Sequence, residues 1–287
     1  MPDIKSIDGM TILRDDASKG EAFLKRYITQ TDQGDAETRK EVCQSLKGIR
    51  QEEGYDNIIT IDVVKSVLKT NNNTTPGPDG IQYNHFNELS DEELEKIVDD
   101  YNSSIRTSTV PEEWLHSYLK PLPKPGRNKK ELNGYRIITM QNVYGKVLEK
   151  CMARILMNEL ENNGNLPEEL GSYRPRKETW KNAGTFVYNG AMLERKVALR
   201  CGQWISSPQV IRPGLPQGSP LLPKLFNVYT ARVATLNSVG PGRILTFADD
   251  ILAYRQGRDR KKMTRELQQE VKKIMEWCAE STAVINP

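Results

Sequence analysis

Ile244-Leu245-Thr246-Phe247-Ala248-Asp249-Asp250-Ile251-Leu252-Ala253-Tyr254 sets two short apolar runs on either side of adjacent aspartates. Runs of this length read as strands, and the acidic pair between them reads as the turn of a hairpin. Two carboxylates crowded at a strand tip repel each other, and a divalent cation between them relieves that repulsion. Donors that are all oxygen suit Mg²⁺, with Mn²⁺ as the second choice. Asp is also an ordinary turn residue, so this stretch alone leaves a structural hairpin and a metal-holding one both open.

Upstream stands Gly214-Leu215-Pro216-Gln217-Gly218-Ser219-Pro220-Leu221-Leu222-Pro223. Two glycines bracket an amide side chain just before Ser219-Pro220, an N-cap serine followed by a first-turn proline, so a helix is predicted to begin there. Such a loop lets backbone approach a flat ligand while Gln217 offers both a donor and an acceptor. Taken alone, it is also a plain capped turn.

Charge divides the chain further. Residues 88–113 hold nine acids against Lys96 and Arg106, whereas 120–154 hold nine bases against Glu131 and Glu149. The basic residues are Lys120, Lys124, Arg127, Lys129, Lys130, Arg136, Lys146, Lys150 and Arg154. That density suits a polyanion, although a solvated face has the same composition. The total of 41 Lys plus Arg against 38 Asp plus Glu, a net charge of +3, decides little, because a cleft can be basic on a balanced protein.

The periodicity predicts an α+β fold. Helices are expected over 60–69 behind Thr60, after Ser90 with its Ser90/Glu93 capping box, over 142–162, from Ser219, and over 260–280. The last should bury Met263, Leu267, Val271, Ile274 and Cys278. Strands are expected at 118–122, 136–139, 244–248 and 251–254. Pro76-Gly77-Pro78-Asp79-Gly80 and Pro123-Lys124-Pro125-Gly126 mark turns between lobes. No stretch approaches the roughly 18 apolar residues of a membrane span, and no signal peptide is evident, so an intracellular protein is expected, with nucleus and cytoplasm left open. Cys43, Cys151, Cys201 and Cys278 are too scattered for a disulfide framework or a zinc module.

Read in order, the blocks resemble a reverse transcriptase of the non-LTR, LINE-type, jockey-like retrotransposons. They are Pro76-Gly77-Pro78-Asp79-Gly80-Ile81, Pro121-Leu122-Pro123-Lys124-Pro125-Gly126, Tyr135-Arg136-Ile137-Ile138 and Tyr144-Gly145-Lys146-Val147-Leu148-Glu149-Lys150. The Gly214–Pro223 loop with Leu225-Phe226-Asn227-Val228-Tyr229-Thr230, and then Phe247-Ala248-Asp249-Asp250, complete the series. The resemblance runs from about residue 58 to the end. Ile137, Leu222 and Arg176 depart from the usual Pro, Ser and Gly of that family.

The resemblance implies a partial right-hand polymerase of fingers and palm, with an antiparallel palm hairpin and no thumb. A charged helical connector would fill 1–57, the fingers and start of the palm 58–188, and the rest of the palm 189–287. It further implies an RNA template, a DNA primer, dNTPs and Mg²⁺. Asp249 and Asp250 would be the catalytic metal ligands. Lys124, Arg136, Gln217, Gly218 and Phe247 would hold the incoming nucleotide and nascent pair. Lys120, Arg127, Lys129, Lys130, Lys146 and Lys150 would face the nucleic acid.

One part of that pattern is missing. Similar polymerases supply a further metal-binding Asp between the Tyr173-Arg174-Pro175 block and the Gly214 loop, yet residues 176–213 contain only Glu178 and Glu194 as acids. Adjacent strand residues point to opposite faces, so Asp249 and Asp250 do not by themselves enclose two ions about 4 Å apart. An internal deletion near Tyr188-Asn189-Gly190-Ala191 is expected to have removed the strand that carried it. Three readings follow: a polymerase domain, a catalytically defective relic of one, and a non-catalytic nucleic-acid-binding module using the basic fingers.

Overall fold

The computed structural model describes residues 1–31, 58–69, 75–107, 109–162, 195–211, 217–236, 241–281, 283 and 285. It divides into two compact units, Met1–Arg154 with Lys181–Leu222, and Ile155–Trp180 with Pro223–Pro287.

In the first unit, β1 (Ile4–Lys5) and β2 (Ile12–Leu13) form a short antiparallel ribbon. Helix α1 (Asp16–Thr31) follows, and Asp15 closes its first turn by accepting the Ser18 N–H at 2.8 Å. Helix α2 (Ile61–Lys69) starts where Thr60 Oγ1 accepts the Val63 N–H at 3.4 Å, and it buries Val64, Val67 and Leu68. After the short α3 (Tyr83–Asn87) comes α4 (Asp91–Thr107), whose expected capping box is present. The Ser90 N–H donates to Glu93 Oε2 at 2.8 Å, and the Glu93 N–H donates to Ser90 Oγ at 3.3 Å. Its Leu94, Ile97, Val98, Tyr101 and Ile105 stripe is buried, as the spacing predicts.

The sheet of this unit is mixed and five-stranded. Strands β3 (Ser117–Pro123) and β4 (Tyr135–Gln141) pair antiparallel along their whole length and lead into α5 (Val143–Asn162). β5 (Arg195–Cys201) joins β3 in parallel over Ser117–Leu119 only, and β6 (Trp204–Ile205) and β7 (Gln209–Ile211) join β5 antiparallel. Pro121 and Pro123 therefore fall where β3 has lost β5 and become an edge, where a missing N–H forfeits no ladder bond on that side. Phe23 and Tyr27 of α1 pack with Leu119, Tyr135, Val197 and Leu199 into the core, and Phe23 meets the Tyr135 ring edge-on at 5.1 Å. A Cβ at Gly20 would collide with the Trp204 ring, so the close approach of α1 to the sheet requires glycine there.

The second unit carries α6 (Leu222–Ala234), β8 (Gly242–Phe247), β9 (Asp250–Arg255) and α7 (Arg260–Glu280). The strands form the expected antiparallel hairpin, and Val233, Ile244, Ile274, Trp277 and Cys278 make its core. Two details differ from expectation. Helix α6 begins at Leu222 rather than directly after Ser219, whose hydroxyl accepts the Leu221 N–H at 3.2 Å and donates to Glu149. On α7, Val271 is 47% exposed while Glu270 is buried, so the packed stripe passes through a carboxylate held by Arg255.

Cys151, Cys201 and Cys278 are free and buried. Among the described residues, no helix is long and apolar enough to cross a membrane.

Candidate functional site

The acidic hairpin of the second unit turns through Ala248 and Asp249, with Phe247 and Asp250 as the closing pair. Ala248 has φ of 51°, left-handed backbone that a residue with a Cβ adopts at a cost of about 1–2 kcal/mol. Asp249 lies in the turn, Asp250 opens β9, and both are exposed. Alternation sends Ile244 and Thr246 inward and leaves Leu245, Phe247 and Leu252 outside, with Phe247 64% exposed. Donors that are all oxygen match a hard cation such as Mg²⁺, but among the described residues no group of three or more acidic, His or Cys side chains converges. Two carboxylates at one turn therefore enclose a single ion poorly, and among the described residues none supplies the further ligand of a two-ion centre.

The other expected nucleotide contacts belong to the first unit. Lys124 sits at the end of β3, its N–H donating to the Gly134 carbonyl at 2.7 Å. Arg136 stands directly across from Leu122, and Lys120 across from Ile138. Cross-strand partners share a face, so Lys120, Leu122, Arg136 and Ile138 occupy one side of the hairpin. Arg127, Lys129 and Lys130 are exposed on the connecting loop. That loop is held by the Tyr135 hydroxyl donating to Lys129 O at 2.9 Å and by the Lys5 N–H donating to Lys130 O at 2.8 Å.

Gln217 reaches the same hairpin, its carbonyl accepting the Thr139 N–H at 2.8 Å. Gly218 has φ of 110°, and a Cβ there would lie 3.0 Å from Thr139 O and 3.4 Å from Ile138 Cγ2. Glycine is needed on both counts. Gln217 and Gly218 thus lie along β4 at Thr139 and Ile138, and Ile138 shares its face with Arg136 and Lys120.

Lys146 and Lys150 are half-buried on α5, with Nζ atoms 6.0 and 4.4 Å from the Tyr83 ring centre. Burial, then the positive charge of Lys146, pushes the Lys150 ammonium down to about 8. Burial, then the nearby Glu149 carboxylate, raises the Tyr83 phenol. Both lysines thus lean on an aromatic face rather than standing free in solvent.

Next to them is a polar cluster that sequence reasoning missed. Glu149 accepts from Gln141 Nε2 at 2.7 Å, from the Ser219 hydroxyl, and from the Arg195 guanidinium at 3.4 Å. Arg195 is 4% exposed. The available signal was Glu149 standing in register with Met152 and Leu156, both buried, on one side of the helix. The expected deletion seam at 188–191, with Glu178 and Glu194, lies outside the described residues.

No family model matches the chain. Three curated proteins are similar to it at 22% identity. The probable RNA-directed DNA polymerase from transposon BS of Drosophila melanogaster aligns over 303 residues, covering 88% of this chain and 32% of that protein. The probable RNA-directed DNA polymerase from transposon X-element of the same fly aligns over 274 residues, 78% of this chain and 30% of that protein. The RNA-directed DNA polymerase from mobile element jockey of Drosophila funebris aligns over 281 residues, 79% and 31%. The chain spans about a third of the length of these relatives. An alignment of 303 positions that covers only 88% of a 287-residue chain includes positions this chain lacks, and the other two behave alike.

Proposed function

We propose, from its distant homology to the RNA-directed DNA polymerases of jockey-like non-LTR retrotransposons, that this chain is the fingers-and-palm portion of such an enzyme. In this reading the first unit supplies the fingers and the nucleotide-facing loop, the second supplies the palm hairpin, and the setting is intracellular. The observation that carries the reading is the docking of Gln217 and Gly218 against Thr139 and Ile138 of β4, the strand that carries Arg136, which joins two separate resembling blocks. Lys124 and Arg136 would neutralise a triphosphate, the Gln217–Gly218 backbone would lie against the base pair, and Lys120, Arg127, Lys129 and Lys130 would track the RNA or primer. Phe247 would pack beside the primer end.

Asp249 and Asp250 would hold Mg²⁺, or Mn²⁺, which in these polymerases activates the primer hydroxyl and neutralises the phosphate. Because residues 176–213 contain no Asp to serve as the further metal ligand, this chain binds primer–template and nucleotide but does not extend the primer. The surplus positions in the aligned relatives support loss of an internal segment.

The test is binding and incorporation measured side by side. The expected outcome is salt-dependent binding of an RNA template with its DNA primer, with no dNTP added in Mg²⁺. Asp249→Asn with Asp250→Asn should leave that binding intact or stronger. Incorporation that disappears in the double variant would show a competent centre and overturn the assigned defect. Absence of salt-dependent binding would overturn the nucleic-acid reading altogether.

A further inference from the structure

The Gln217–Ser219 loop is tied down on both sides of Gly218 by different elements. On one side the Thr139 N–H of β4 holds the Gln217 carbonyl at 2.8 Å. On the other the Ser219 hydroxyl, 3% exposed, donates to Glu149 of α5 and also accepts the Leu221 N–H at 3.2 Å. The carboxylate that receives Ser219 is not free to wander. Gln141, two residues beyond Thr139 on β4, donates to it at 2.7 Å, and buried Arg195, the first residue of β5, faces it with both terminal nitrogens at 3.4 Å. Tyr27 of α1, packed in the core of the same unit, lies near Thr139 and Arg195. A charge-assisted hydrogen bond in such surroundings is stronger and more directional than one at the surface.

We infer that Glu149 is a positioning residue for the nucleotide-facing loop, acting through Ser219 and itself aimed by Arg195 and Gln141. It touches no substrate. It sets where the Gly218 backbone lies over Ile138, and so how a base pair stacks there. This rests on the proposed reading of the loop as a nucleotide contact. It goes beyond that reading by assigning the loop's geometry to a carboxylate on a helix and an arginine on a distant strand.

Removing Glu149 would strand buried Arg195 and could unfold the unit, so Ser219→Ala is the primary variant, because it deletes the latch and keeps the ion pair. Two quantities are measured on the full chain. One is amide hydrogen exchange. The other is the affinity for the next complementary dNTP of a complex with a dideoxy-ended DNA primer on an RNA template. Ser219→Ala is expected to exchange the Thr139 amide about tenfold faster and to weaken dNTP binding by about the same factor. Melting temperature, protection of α4 and affinity for the primer–template should not change. Unchanged Thr139 protection in the folded variant would overturn the positioning role. If the wild-type complex binds no dNTP while Thr139 exchange still accelerates in the variant, the latch stands and the nucleotide reading of the loop falls.

Discussion

Arg255 of β9 and Glu270 of α7 meet at 2.5 Å with 3% and 2% of their side chains exposed, an ion pair almost wholly removed from water. Such a pair contributes little relative to apolar residues of the same volume, yet either half is costly alone. Glu270→Ala is therefore expected to destabilise the second unit by about 3 kcal/mol or more, whereas Arg255→Met with Glu270→Leu should be neutral or stabilising. Urea unfolding of the three proteins, compared at constant m-value, checks this.

The turn residue Ala248 predicts an effect of the opposite sign. Its φ of 51° suits glycine, so Ala248→Gly should stabilise the hairpin by about 0.5 kcal/mol after glycine's extra chain entropy is counted. Ala248→Val should cost about 1 kcal/mol or more at the same place. Thermal melts of both variants decide it, and equal shifts in the two would refute the strain.

Gly145 lies inside α5, where alanine normally helps a helix by about 1 kcal/mol. Here a Cβ would come within 2.5 Å of the Trp114 carbonyl oxygen. Gly145→Ala is therefore expected to destabilise by about 1–3 kcal/mol, and a raised melting temperature would show that the helix and the Trp114 turn do not pack as described.

Stability should rise with pH just above neutrality. Lys150 gives up its proton near 8 in the folded chain but near 10.5 when unfolded, so the unfolded state holds more protons between those values. The destabilisation is complete below about 8 and is relieved as pH climbs past it. Above the ordinary tyrosine value of 10.0 the trend reverses, because buried Tyr83 and Tyr101 stay neutral only when folded. Lys150→Met should flatten the rise between pH 8 and 10 in chemical denaturation curves while leaving the fall above 10.

Local rules carried much of the fold. The Ser90/Glu93 box, the Thr60 cap and the apolar stripe of α4 are decided by residues within a turn or two, and each is where its spacing puts it. The acidic hairpin was legible for the same reason. The serine before a proline stands just ahead of α6 and accepts the Leu221 N–H, but nothing local reveals that the same hydroxyl donates to Glu149. The first 31 residues were expected to be part of a charged connector, yet Ile4, Phe23 and Tyr27 enter the core of the first unit. Phe23 and Tyr27, and beside them Leu24 and Ile28, stand four apart, a cue that charged neighbours dilute. At the site, the resemblance named the loop and the basic hairpin. The Glu149–Arg195 pair joins residues far apart in sequence, and each alone has the appearance of a solvated charge.

The parallel register of β3 with β5 also governs the order in which the first unit can be assembled during synthesis. β3 and β4 can zip together as soon as Gln141 has left the ribosome, but the edge offered by Ser117–Leu119 waits for Arg195–Cys201 to be made. Until then the nascent hairpin presents unpaired backbone and the apolar side chain of Leu119 to whatever strand is nearest. A second copy of the same hairpin offers such a strand, so the interval between making β4 and making β5 is when strand exchange between chains is open.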